Sequence, residues 1–354
     1  MCVSILILIG CVALYSATQG SGNDELIKQL VWLGISIPVM IGIIVLDYNT
    51  IIKFAPIGYG IILISLIAVL FTSPINGATS WFIMGPVSIQ PSEFAKIFVI
   101  LTLALTISKI QENGKDEISK PLKLGLSLLV VAIPILLIIK QPDYGTAIAF
   151  VVATIFMLYT SGINRKYIII SLILIIIALP LLYFFVLPEH AKIRIDVFLN
   201  PDIDPRGSGY NIIQSKLAIG SGQLFGMGIK QGNQTQLGYL YPKTTDFIFS
   251  VIGEEMGFVT AGLIIVLYVF VITKIIYIAK TAKDDKGSYI AIGIAGIFVF
   301  HMVENIGMTM GLLPITGVPL PFVSYGGSSL LTNLILIGLV LNISARRKKS
   351  LFIE

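Results

Sequence analysis

The stretch Asp204–Gly257, DPRGSGYNIIQSKLAIGSGQLFGMGIKQGNQTQLGYLYPKTTDFIFSVIGEEMG, is long, polar and glycine-rich in a chain otherwise apolar enough to sit in lipid. It ends by carrying Asp246 into the start of a hydrophobic helix. A carboxylate at the mouth of a membrane span is costly to desolvate without a partner, which marks it as a candidate functional group. The plain alternative is a helix cap, since Asp is favoured at that position.

Composition sets the class. The 354 residues are 56% hydrophobic and 12% charged, with mean hydropathy +0.93, whereas soluble domains carry about a quarter charged residues. The chain is read as an all-α integral membrane protein. Cys2 and Cys11 both lie in the first apolar run and indicate packing rather than a disulfide framework. His190 and His301 are too few for a His/Cys metal cluster. The net charge of +5 reflects membrane orientation, and nucleic acid is not implied.

Ten runs are long enough to cross a bilayer: 2–17, 27–47, 51–72, 92–109, 121–140, 144–162, 167–187, 247–278, 288–312 and 327–345. The first lacks a basic leader and a small-residue cleavage site, so it reads as a retained span. Fourteen Lys and Arg residues fall in the connectors after even-numbered spans and in the C-terminus, against Lys28 and Lys140 in the short connectors opposite. The expectation is therefore cytoplasmic termini, with a large extracellular loop over 188–246. That loop holds Lys192, Arg194, Arg206, Lys216, Lys230 and Lys243, and its YNIIQSKLAI run suits an interfacial amphipathic helix.

The same face would gather the other unusual residues. In QPSEFAK, Pro91 suits a first helical position and Glu93 a first turn, with Lys96 three residues on and able to pair with it. The bland reading is an interfacial ion pair worth a few tenths of a kcal/mol. QPDYG adds Asp143 in a turn. Leu313–Ser329, LPITGVPLPFVSYGGSS, has three prolines and three glycines and cannot be a regular helix. Such backbone is tolerated near a membrane where protein buries it or a wet cavity adjoins it. Within the spans, Glu255 falls nearly opposite Asp246 on an ideal helix, so the two form no carboxylate pair. HMVEN, with His301, Glu304 and Asn305, has the wrong order for HExxH and reads as a hydrogen-bond network between helices. No GxxxxGK[ST] loop occurs, and Gly220, Gly222, Gly226 and Gly228 follow no βαβ pattern.

NGATSW, QPSEFAK, QPDYGTA, FLNP..DP.G.GY.IIQSKLAIGSG, TDFIF..IGEEMG and LPITGVPLPFVSYGGSSLLTN together resemble the signature segments of the SEDS family of shape, elongation, division and sporulation proteins, in order along nearly the whole chain. IIQSKLAIGSG and the segment around LPITGVPLPF look more like the rod-shape branch than the division branch. Ser80 stands before Trp81 where many relatives carry Arg, and Thr244-Thr245 precede Asp246 where His-Thr is frequent. The resemblance implies a ten-helix bacterial cell-membrane peptidoglycan glycosyltransferase polymerising lipid II outside the cell. It also implies Asp246 as the essential acid, a class B penicillin-binding protein as partner, and other elongation-complex membrane proteins nearby.

That chemistry suits the residues. A sugar hydroxyl attacking an anomeric carbon needs a base within about 2.6–3.2 Å, and Asp246 would be that base. The departing lipid diphosphate needs positive charge, from Lys96, Lys216, Arg194 or Lys243, or from a divalent cation (Mg or Mn) bridging its oxygens. Glu93 would orient Lys96; Trp81 and Asp143 are further supporting candidates. One-step displacement would invert the anomeric centre. The rival from another class is a lipid II flippase using Glu254, Glu255, His301 and Glu304 to line a path. The absence of an obvious repeat between the hydrophobic halves argues against it. A third possibility is a scaffold that only holds the penicillin-binding protein.

Overall fold

The structure, a computed structural model, describes residues 1–74, 78–85, 87–185, 189–205 and 207–347. Asn76 and Gly77 of NGATSW, Arg206, Lys348 and Lys349 lie outside them, as does the side chain of His190. Among the described residues the chain is mostly helical. In order run α1 (Cys2–Ala17), α2 (Asp24–Val45), α3 (Tyr48–Lys53), α4 (Ala55–Ala68), a hairpin of β1 (Phe82–Met84) and β2 (Val87–Ile89), α5 (Pro91–Gln111), α6 (Pro121–Ile139) and α7 (Tyr144–Thr160). There follow α8 (Arg165–Phe185), α9 (Glu189–Leu199), α10 (Ser208–Ser221), α11 (Asn233–Gln236), α12 (Ile248–Lys280), α13 (Asp285–Thr309) and α14 (Gly327–Ala345).

Among the described residues five helices, α2, α6, α12, α13 and α14, are long and apolar enough to cross a membrane, and α1, α4 and α7 are shorter apolar helices. Their exposed faces are aliphatic, as on α4, where Ile57, Ile61 and Ile64 are all exposed. Such a face is tolerable in lipid and a liability in water. Pro38, Pro134 and Pro180 lie inside α2, α6 and α8, a placement that membrane helices accept more readily than soluble ones.

The chain divides into two compact units. One comprises Trp32–Ile168, Ile272–Val299 and Gly327–Glu354. Here Pro91 sits in the first turn of α5, and Asp143 caps α7 by accepting from the Thr146 N–H at 3.1 Å. Gly293 and Gly296 of α13 let that helix approach α7 closely: a Cβ at Gly296 would stand 2.9 Å from Ala153 Cα. Without a hydrophobic drive between helices in lipid, such close backbone packing is a main source of cohesion.

The other unit comprises Met1–Val31, Ile169–Val271 and Phe300–Gly326. The YNIIQSKLAI run is helical within α10, burying Gly209, Ile212, Ser215 and Ala218 along one stripe. The run expected as one span over 247–278 differs in a physical way. α12 is interrupted at Gly257, whose φ of 76° is a left-handed conformation suited to glycine. The groups opened by the break are met by the preceding segment: Phe258 and Val259 N–H donate to Gln223 and Leu224 carbonyls at 2.8 and 3.1 Å. In return, Met227 and Gly228 N–H donate to the Glu254 and Glu255 carbonyls at 2.9 and 3.1 Å.

Candidate functional site

Asp246 lies two residues before α12, half-buried, in the second of these units. The irregular chain between α13 and α14 runs beside it. A Cβ at Gly317 would stand 3.4 Å from Asp246 Oδ2, so a glycine with φ of 74° leaves the carboxylate space. Hydrogen bonds to the two residues just ahead of the acid fix this arrangement: Tyr325 N–H donates to Thr244 O at 2.9 Å, and Ser324 Oγ donates to Thr245 O at 2.7 Å. Asn305 on α13 donates to Asp246 O at 3.0 Å and to Val318 O at 2.8 Å.

The loop is held at other points too. His301 Nδ1 lies 3.0 Å from Pro319 O, Thr316 Oγ1 donates to Glu304 Oε1 at 2.8 Å, and Tyr268 OH donates to Pro321 O. Gln29 donates to Ser324 O at 3.2 Å and accepts from Gly326 N–H at 3.1 Å. A segment that cannot form a helix thus has its main-chain groups satisfied largely by side chains of its unit, as buried backbone demands. The HMVEN residues serve this loop.

Burial pushes the Asp246 carboxyl above the usual Asp range, while a Thr245 side-chain hydrogen bond and the charge of Arg194 pull it back. Arg194 is half-buried on α9 and reaches Ile315 O at 3.5 Å. Lys216, exposed on α10, lays its ammonium against Gly311 at the start of the same loop. Lys243 instead donates to Thr235 O at 3.0 Å; burial lowers its pKa, opposed by Glu255 and Glu25.

Glu254 and Glu255 are buried but not idle. Glu254 accepts from Gln234 N–H at 2.7 Å, Thr235 N–H at 3.0 Å and Thr235 Oγ1 at 2.6 Å, and Glu255 accepts from Gln236 Nε2 at 2.8 Å. Both carboxylates therefore fasten α11 and its flanks, the approach to Asp246. Sequence reasoning missed this because the acids stand about twenty residues from their partners and carry no local motif.

A second cluster lies in the other unit. Lys96 Nζ donates to Glu93 Oε1 at 2.8 Å, with the two side chains 0% and 2% exposed. The pair is thus buried rather than interfacial, because α5 packs nearly all round its first turns, including Pro91, Ser92 and Ala95. Asp143 adjoins it: its Oδ2 accepts from Gln90 Nε2 at 3.0 Å and Ser92 Oγ at 3.3 Å. Burial raises the Asp143 carboxyl, its bonds to Thr146 pull it down, and Glu93 and Lys96 add smaller opposing effects. Ser80 donates to Gln141 O at 3.2 Å, and Trp81 is half-buried at the entrance to β1. Among the described residues no three His, Cys, Asp or Glu side chains converge as a metal centre.

The family model named for FtsW, RodA and SpoVE, described as cell cycle protein, matches residues 1–349. The chain is 36% identical over 352 residues to peptidoglycan glycosyltransferase MrdB of Escherichia coli K12, covering 98% of this chain and 94% of that one. It is 32% identical over 419 residues to peptidoglycan glycosyltransferase RodA of Treponema pallidum, covering 96% and 95%, and 37% identical over 353 residues to stage V sporulation protein E of Bacillus subtilis, covering 96% and 94%. A solved structure described as coordinating polymerization and crosslinking in a peptidoglycan synthase complex superposes with a TM-score of 0.84 at 28% identity, covering 98% of this chain and 97% of that one. The Thermus thermophilus rod shape determining protein RodA gives a TM-score of 0.73 at 28% identity, covering 98% and 96%. With its apolar helices and these relatives, the chain is a multi-pass membrane protein, and it belongs to the FtsW/RodA/SpoVE family of cell cycle proteins.

Proposed function

We propose that this chain is a peptidoglycan glycosyltransferase that polymerises lipid II into glycan strands during cell elongation. The observation that carries the mechanism is the Asp246 carboxyl, half-buried, placed against Gly317 and felt electrostatically by Arg194. Its named full-length relatives support the reaction class.

In the proposed step the Asp246 carboxylate takes the proton of an acceptor sugar hydroxyl, whose oxygen attacks the anomeric carbon of the donor. The bond from that carbon to the lipid diphosphate breaks, and the diphosphate leaves with the electron pair. A single displacement of this kind inverts the anomeric centre. Arg194 and Lys216, on the two helices beside the irregular loop, are the cations best placed to receive the diphosphate. A divalent cation, Mg or Mn, enters only as a counter-ion carried by the substrate phosphates. Glu93, Lys96, Asp143 and Trp81 are assigned a supporting role in the reaction.

The proposal places ten spans in the bacterial cell membrane with both termini cytoplasmic, and the 188–246 loop and Asp246 on the outer face, as the Lys and Arg distribution favours. A class B penicillin-binding protein, within a wider set of elongation proteins, would crosslink the product. Transport is less well supported, because Glu254, Glu255, His301 and Glu304 are all engaged in fastening loops. The deciding experiment is polymerisation by purified protein, with its crosslinking partner, lipid II and a divalent cation. Glycan should form, and Asp246→Ala should abolish it with folding intact. Normal polymer from that variant, with lipid II crossing liposomes only when active protein is present, would instead establish the flippase.

A further inference from the structure

We propose that the groove where α7 and α12 end and α13 begins binds the headgroup of an anionic phospholipid. It lies wholly within one compact unit and encloses about 910 Å³, within the range of small-ligand pockets. Its floor is apolar: Ile155 and Phe156 of α7 face Ile276 of α12 and Ile292 of α13. Its rim is basic, formed by Arg165, Lys280 and Lys283, all exposed.

None of these three cations is ion-paired among the described residues. The acids on the rim do not neutralise them by contact. Asp284 accepts from Tyr48 OH and from Gly287 N–H, each at 2.8 Å, and Asp285 stands in the first turn of α13, where the helix dipole favours it. Unpaired cations over an apolar floor at the end of membrane-crossing helices match a molecule with a phosphodiester head and acyl chains. Bilayer phosphates lie at that depth, and basic pockets between helix ends are known lipid-headgroup sites. A soluble phosphate would leave the floor unused. The connectors at 161–166 and 281–286 belong to the Lys- and Arg-rich set, so the lipid would come from the cytoplasmic leaflet.

The test is native mass spectrometry of the full chain in detergent, offered equal concentrations of dioleoyl phosphatidylglycerol and dioleoyl phosphatidylethanolamine. Phosphatidylglycerol should be retained preferentially, and the triple variant Arg165→Gln/Lys280→Gln/Lys283→Gln should weaken its binding by about tenfold or more. Thermal unfolding in lipid-free detergent serves as the folding control. Ile276→Trp, which fills the floor and keeps every charge, should also weaken retention. Equal retention of the two lipids, or undiminished phosphatidylglycerol on the triple variant, overturns the proposal. So does displacement of the lipid by soluble glycerol phosphate at comparable concentration.

Discussion

The side-chain amide of Asn305 donates a hydrogen bond to the main-chain carbonyl of Asp246 at 3.0 Å. Its other N–H meets Val318 at 2.8 Å, so one buried side chain ties the proposed base to the irregular loop that faces it. Replacing it by Ala leaves two carbonyls without their donor, at a cost of about 1–3 kcal/mol each where no water replaces it. Asn305→Ala is expected to lower kcat by about tenfold to a hundredfold, since a misplaced base loses rate faster than binding. Steady-state polymerisation with a parallel melting curve checks this; an unchanged kcat would remove Asn305 from the positioning machinery.

The raised Asp246 carboxyl predicts the pH behaviour. A base must be ionised, so polymerisation should rise with pH along an acid limb lying above the usual Asp range. Arg194 lowers that carboxyl, and Arg194→Ala should therefore move the limb to higher pH. The rate profile of the two proteins, measured side by side, gives the answer.

The same shift predicts a stability effect of opposite sense to the activity. A carboxyl raised in the folded state stabilises the fold below its unfolded pKa, and this contribution is lost as pH rises through the folded value. At neutral pH the charged form is the less favourable one in the fold. Asp246→Asn should then raise Tm while eliminating polymer; a lowered Tm at neutral pH would contradict the desolvation argument.

Glu93 and Lys96 should behave as a buried pair. Lys96→Met alone leaves an uncompensated carboxylate and should destabilise by about 3–5 kcal/mol. Combining it with Glu93→Gln should recover most of that loss, because a neutral pair is tolerated where a lone charge is not. If the double variant is stable but inactive, the pair serves the reaction; if active, it serves only the fold. Denaturation and polymerisation on the same preparations separate the two.

Much of this was legible in the sequence, and the remainder has a physical explanation. Hydropathy runs gave the helical membrane class, and the i,i+3 spacing gave the Glu93/Lys96 contact, because both are properties of one helix. The burial of that pair was not legible: with α5 enclosed on nearly every side, no polar face distinguishes an enclosed charge from an exposed one. Asp246 stood out through its cost at a span entrance. Its fastening by Asn305, fifty-nine residues away, depends on the path of an irregular loop that no periodicity describes. Glu254 read as a residue inside a span, and only the fold brings α11 to it.

The interruption of α12 at Gly257 has a consequence for how the molecule can be altered. Amides of residues 227–228 cap its first segment, while carbonyls of residues 223–224 receive donors from its second. The irregular segment ahead of α12 and the hydrophobic rod are thus co-dependent parts of one scaffold. Trimming or grafting that segment would strip an apolar rod of its sutures, so divergence among homologous chains should leave this seam untouched while the tips around it drift.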